Sequence, residues 1–134
     1  MKNSLYILIS VPFFALFLLS PSARFATNDD WVVPDKYKKM ENPYANVKDN
    51  EQIGRRAYSI HCKSCHGSKG MGDGSKAAQL DTRVPDLTLD AFKAESDGEM
   101  YYKTIFGKGD MPSFKEKITN EEDRWYLVNY LKAL

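Results

Sequence analysis

Apolar positions fall in three differently patterned regions of the chain. Residues 5–19 form an almost unbroken apolar run, interrupted lightly by Ser10 and Pro12 and preceded by Lys2. Residues 27–50 are mostly polar: Asn28-Asp29-Asp30 opens the stretch, Pro34 and Pro43 interrupt any helix, and Lys36, Lys38 and Lys39 keep it solvated. Trp31, Val32, Val33, Tyr37 and Tyr44 make it more apolar than a free linker requires, so some of them are expected on a domain surface. From Glu51 the pattern becomes helical. Ile53, Ala57 and Ile60 share one face with Tyr58 beside it, Asn50 is a candidate N-cap, and Glu51 suits a first turn. Four glycines then mark a loop (Gly67, Gly70, Gly72, Gly74), residues 76–80 suit a short helical turn, and residues 85–88 read as extended chain. A helix is predicted over residues 97–106, closed by Gly107 and Gly109. After a loop around Met111-Pro112, a last helix starts near Thr119, with Glu121 and Glu122 in its first turn, and runs to Leu134. Its apolar side carries Trp125, Leu127, Val128, Tyr130, Leu131 and Leu134. No internal repeat and no strand pattern stands out.

These regions divide the chain into residues 1–26, a signal peptide or membrane anchor; residues 27–50, a tether; and residues 51–134, one folded domain. A charge followed by an apolar run is the order of an export signal. The run covers 15 residues, short of the roughly 20 that a membrane span takes. Cleavage after Ala23 or Ala26 puts Pro21 or Arg24 where a small residue is wanted. Cleaved or retained, the segment places the remainder outside the cytoplasm, in the periplasm, either soluble or tethered to the inner membrane through residues 5–25. The whole chain carries a net charge of +1. Residues 27–134 lose only Lys2 and Arg24 from the 19 basic side chains and keep all 18 acidic ones, a net −1. That balance excludes a nucleic-acid binder.

The two cysteines stand three apart, in Cys62-Lys63-Ser64-Cys65-His66. Cys-x-x-Cys-His is the attachment signature of haem c. Two thiols must reach two vinyl groups on one edge of the porphyrin, and cysteines three apart on a helical turn project to the same side. The adjacent His66 then offers its imidazole to the iron. A disulfide over so short a loop would stabilise little. A thioredoxin-like pair needs a strand–helix context that is missing. A zinc site needs four converging ligands, which His61, Cys62, Cys65 and His66 cannot supply from one helix. His61 reads as a surface histidine aimed away from the iron.

A second axial ligand must come from elsewhere, and three methionines follow the motif. Met71 lies in the glycine loop, too close to His66 to reach the opposite face. Met100 sits inside a predicted helix beside Tyr101 and Tyr102, where a core role fits. Met111 lies in a loop after two glycines and before Pro112, which fixes the local chain. By elimination Met111 is the expected ligand; its other reading is a loop methionine packed on the core.

The chain from about Ile53 to Leu131 resembles the class I bacterial cytochromes c. The resemblance rests on Gly54 and Tyr58 before Cys62-Lys63-Ser64-Cys65-His66-Gly67, then Gly70-Met71-Gly72-Asp73-Gly74, Pro85-Asp86-Leu87-Thr88, Gly109-Asp110-Met111-Pro112-Ser113-Phe114 and Leu127-Val128-Asn129-Tyr130-Leu131. It implies an all-α fold of three to five short helices wrapped around one covalent haem c. It implies that the first and last domain helices cross, with Gly54 allowing close approach to Leu127 and Tyr130. It further implies that the Pro85 carbonyl accepts a hydrogen bond from His66, and that Leu87 and Phe114 pack on the haem. The tether at residues 27–50 lies outside the family pattern.

The expected function is therefore single-electron transfer by a His/Met-ligated haem c, not enzymatic catalysis. Iron with both axial positions filled changes only its charge. The expected partners are redox proteins: a donor such as a quinol-oxidising complex or dehydrogenase, and an acceptor such as a terminal oxidase or reductase. Lys63, Lys69, Lys108 and Lys115 are candidates to steer an acidic partner, solvated surface being their other reading. A fixed haem c subunit of a respiratory complex or redox enzyme is the alternative. A peroxide- or gas-binding haem would need an open iron position and a distal group, and His61 is the only spare histidine.

Overall fold

A computed structural model describes residues 31–134. The expected signal or anchor and the first residues of the tether lie outside the described residues. Among those described, no helix is long and apolar enough to cross a membrane. The order of elements is α1 (Asp35–Lys38), α2 (Ile53–His61), α3 (Lys63–His66), a 3-10 turn (Ala77–Gln79), α4 (Asp90–Lys93), α5 (Asp97–Phe106) and α6 (Glu121–Lys132). The described residues contain no strand, only an isolated bridge between Lys108 and Met111. The fold is all-α, as expected; α1, α3 and α4 are single turns, of which α1 and α4 have no counterpart in the sequence reading.

The frame is the crossing of α2 and α6. Helix α2 starts at Ile53, not after an Asn50 cap. Gln52 adopts a left-handed conformation (φ 54°), and this turn brings the Asp49 carboxylate over the open helix end. Its two oxygens accept hydrogen bonds from the backbone N–H groups of Ile53 (2.8 Å) and Gly54 (2.9 Å). A carboxylate satisfies two orphan donors there and complements the helix dipole. Helix α6 likewise starts one step later than Thr119. The Asn120 side chain accepts from Glu122 N–H, and Glu121, Glu122 and Asp123 fill the first turn.

Helix α6 separates two apolar clusters. Leu127 and Leu131, one turn apart, join Tyr58, Cys62, Leu87, Phe114 and Ile118. Trp125 and Val128, on an adjoining face, join Met100, Tyr101 and Ile105 of α5. Met100 is 1% exposed, so it is a core residue, as its helical setting implied. Helix α5 occupies the predicted residues and opens with a capping box. Ser96 Oγ accepts from Glu99 N–H, while Glu99 accepts from the Ser96 N–H and hydroxyl.

Residues 31–50 run across α5 and α6 as a strap. Val33 is buried, and Tyr37, Met40 and Tyr44 pack against the second cluster. Asn42 Nδ2 donates to Asn129 Oδ1 (2.7 Å), and Asn129 Nδ2 donates to the Tyr44 carbonyl (2.9 Å). Gly98 is required where strap and α5 meet, because a Cβ there would stand 1.9 Å from the Tyr37 carbonyl oxygen.

Gly54 plays the same part where α2 meets α6. A Cβ on it would lie 2.1 Å from the Tyr126 carbonyl oxygen and 3.0 Å from Tyr130 Cβ. The close neighbours are thus Tyr126 and Tyr130, not the expected Leu127. Backbone cannot step aside cheaply, so Gly54→Ala is expected to cost about 2–3 kcal/mol and lower the thermal midpoint of the holoprotein in calorimetry.

The Glu99 carboxyl is held below the usual carboxylate range, chiefly by the Ser96 N–H. A depressed folded pKa gives stability that is present above the unfolded value and lost as pH falls through the folded one. Replacing Glu99 by Gln should therefore cost stability, on the order of 0.5 kcal/mol for this partly exposed cap, at pH 7. The gap to wild type should shrink below about pH 4, read from urea midpoints across pH.

Candidate haem-binding site

Helix α2 passes into the motif almost without a break. The Cys62 N–H still donates to the Tyr58 carbonyl, and the Cys62 carbonyl accepts from both Cys65 and His66 N–H. Cys62, Cys65 and His66 therefore stand within about one turn of nearly continuous helix. Gly67, at φ 81°, reverses the chain. The glycine loop then folds back over the open end of α3: the carbonyls of Ser64, Cys65 and His66 accept from the N–H groups of Lys76, Gly74 and Gly72. The Tyr58 hydroxyl closes the arrangement from inside by donating to the Gly67 carbonyl at 2.7 Å.

The two cysteines are not joined in a disulfide; Cys62 is buried and Cys65 half-buried. Burial, reinforced by electrostatic repulsion from the neighbouring Cys65, pushes the Cys62 thiol up to about 12. A thioether carries no such charge, so alkylation suits this apolar position. Burial also lowers the pKa of His66, with the Pro85 carbonyl acting in the opposite direction. A neutral imidazole is the form that ligates a metal. His66 Nδ1 is buried without completing a hydrogen bond, although the Pro85 carbonyl lies close enough to bias its protonation.

The other expected residues converge here. Leu87 (4% exposed) and Phe114 (4%) share the first cluster with Cys62, and half-buried Met111 packs against it. Leu87 is held by its N–H donating to the Gly70 carbonyl at 2.7 Å. Met111 sits in a tight turn in which Lys108 and Met111 exchange backbone hydrogen bonds at 2.9 and 3.0 Å. Gly107 and Gly109, at φ 66° and 57°, make that turn possible. The return of the loop is pinned to α5: Phe114 N–H and Ser113 Oγ both donate to the Ile105 carbonyl.

Some supporting residues gave little sequence signal. Asp110 accepts from Thr82 N–H at 2.9 Å, tying the methionine loop to a segment 28 positions earlier. Ile118 closes the first cluster. His61 is half-buried, its ring 5.6 Å from that of Phe114, so it lies against the site instead of standing off as a surface histidine.

Two thiols three residues apart, a neutral imidazole beside them and an apolar cluster with a thioether at its margin fit haem c. Among the described residues no three His, Cys, Asp or Glu side chains are grouped to hold a metal ion by themselves.

Fold and site together define a class I c-type cytochrome with one covalently bound haem c. The chain belongs to the family described as cytochrome c oxidase, cbb3-type, subunit III, whose model matches residues 49–131. No curated protein matches it. Among solved structures, it is similar to a chain of the Kuenenia stuttgartiensis reducing HAO-like protein complex Kustc0457/Kustc0458 (26% identity, TM-score 0.56). That match takes in 70% of this chain and 48% of the other, so the chain spans about half the length of that relative. The c-type cytochrome KustC0563 is 29% identical with TM-score 0.51, over 60% of this chain and 94% of its own. Cytochrome cL of the methylotroph Methylophaga aminisulfidivorans MPT shares the fold at 17% identity (TM-score 0.51, 69% and 60% covered).

Tyr58→Phe removes the buried donor and leaves the Gly67 carbonyl unpaired. It should cost about 1–2 kcal/mol in denaturant unfolding while the haem stays attached, since neither cysteine changes.

Proposed function

We propose that this protein is a single-electron carrier whose haem c is ligated by His66 and Met111, working outside the cytoplasm in a respiratory chain. When bound, the haem supplies one electron of reversible iron redox chemistry. Cys62 and Cys65 hold it permanently, and His66 presents a neutral imidazole. Leu87 and Phe114 exclude water from its surroundings. Met111 would supply the iron with a second protein ligand and so deny it to exogenous ligands. The observation that carries this reading is the sorting of the methionines. Met111 lies against the Cys62 cluster, Met100 is enclosed in the other cluster, and Met71 is 52% exposed in the glycine loop.

Lys63, Lys69, Lys108 and Lys115 are exposed. In this reading they attract acidic faces of redox partners, a quinol-oxidising complex or dehydrogenase as donor and a terminal oxidase or reductase as acceptor, in a small transient contact. The apolar run in residues 5–19 is read as the export signal or anchor that places the domain in the periplasm. The family description, an oxidase subunit, favours a second reading: a haem c subunit fixed in a larger complex. Native extraction separates the two. A diffusing carrier leaves membranes with salt, whereas a fixed subunit needs detergent and co-purifies with its complex.

The ligand assignment is tested by Met111→Ala. Haem should remain attached, the red-end absorption of oxidised Fe–S(Met) should vanish, and carbon monoxide should bind the reduced variant readily. The potential should fall by on the order of 0.1 V, a fraction of the range that axial ligands command. Met100→Ala should cost about 2–5 kcal/mol of stability and keep the absorption band. The assignment is wrong if the band survives in the Met111 variant and disappears in the Met100 variant.

A further inference from the structure

Helix α5 ends at Phe106, and the chain passes directly into the turn that carries Met111. Any opening of that turn must pivot on this junction. One side of it is held by the returning loop, through the two hydrogen bonds that the Ile105 carbonyl accepts from Phe114 and Ser113. The other side is held by the strap. The Tyr37 ring packs on Tyr102 (centroids 4.8 Å apart) and edge-on against Phe106 (5.5 Å), which themselves stack at 4.9 Å. Six residues upstream, the Trp31 ring lies beneath the Lys108 ammonium, inside the turn, at 6.0 Å. Val33, between them, is 4% exposed. The strap thus touches the last turn of α5 and the first residues of the methionine loop. Its later part, through Asn42 and Tyr44, is anchored to α6 by Asn129 and by the Tyr44–Tyr126 ring contact at 5.7 Å.

We propose that the strap is a brace for the sixth ligand: Trp31 and Tyr37 are positioning residues that hold the α5–loop junction and thereby keep Met111 on the iron. The inference rests on Met111 being the axial ligand. The brace acts without touching cofactor or ligand. Opening the loop by movement at this junction separates Tyr37 from Phe106 or Trp31 from Lys108, and each contact so lost adds to the free energy of opening. Residues 31–48 of the strap lie outside the residues that match the family model, 49–131, so ligand retention is here set partly by an element that the family pattern does not include.

The test uses full-length ferric holoprotein. Two quantities are read: the pH midpoint at which the sulfur-to-iron band disappears, and the rate at which imidazole displaces Met111. Trp31→Ala and Tyr37→Ala should each lower the midpoint and speed displacement by about fivefold, the scale of one lost ring contact. Tyr37→Phe keeps the ring and should behave as wild type. Tyr44→Ala removes a strap ring at the far anchor; it should lower thermal stability yet leave both readings unchanged. Should Tyr37→Ala fold poorly, the more peripheral Trp31→Ala still decides the matter. If Trp31→Ala and Tyr37→Ala alter the two readings no more than Tyr44→Ala does, the brace is refuted while the ligand assignment stands. A wild type with no sulfur-to-iron band refutes the assignment and the brace with it.

Discussion

Everything in this domain is arranged around the contact of Gly54 with the backbone of Tyr126. Because no side chain intervenes, α2 and α6 cross at backbone distance. That brings Tyr58, one turn further along α2, into the cluster formed by Leu127 and Leu131. The motif follows immediately on the same helix, so the position of Cys62 and His66 is decided by the crossing. The Asp49 carboxylate fixes where α2 begins and so fixes the rotational phase in which the motif is presented.

The cluster on the Cys62 side of α6 is the one that holds a cysteine of the attachment motif. Its members come from α2, from the chain after the glycine loop, from the methionine loop and from α6. They have in common that they share one buried cluster with Cys62. A domain of this size gains stability from a covalent cofactor seated in such a cluster. The cluster on the other side of α6 contains none of the motif residues. Met100, Tyr101, Ile105, Trp125 and Val128 pack together, and the strap supplies Tyr37, Met40 and Tyr44 as a cover. Function and structural support are divided between two faces of one helix.

The link between the two halves is the end of α5. Its carbonyls and rings serve the protein interior on one side and the methionine loop on the other. A loop built on two left-handed glycines has a pliable backbone, and its persistence depends on what it is tied to. Here the ties are Ile105, Thr82 and the strap.

Much of this was written in the sequence by itself. The spacing of Cys62, Cys65 and His66 specifies the cofactor, because two vinyl groups and one iron dictate three donors at fixed helical offsets. Gly107 and Gly109 mark the end of α5 in the sequence, while the capping box of Ser96 and Glu99 that fixes its start came to light in the structure. What tertiary structure decided lies at longer range. Asp49 displaces Asn50 as the cap only because Gln52 turns left-handed. Gly54 meets Tyr126 as well as Tyr130, where the family resemblance implied Leu127 and Tyr130, because the way the two helices cross selects the neighbour. His61 lies against Phe114, 53 positions away in the chain. Residues 31–50, polar and proline-broken, read as a tether, yet their few apolar side chains find α5 and α6. A local pattern records which residues favour burial; only the assembled domain supplies the surface on which they are buried.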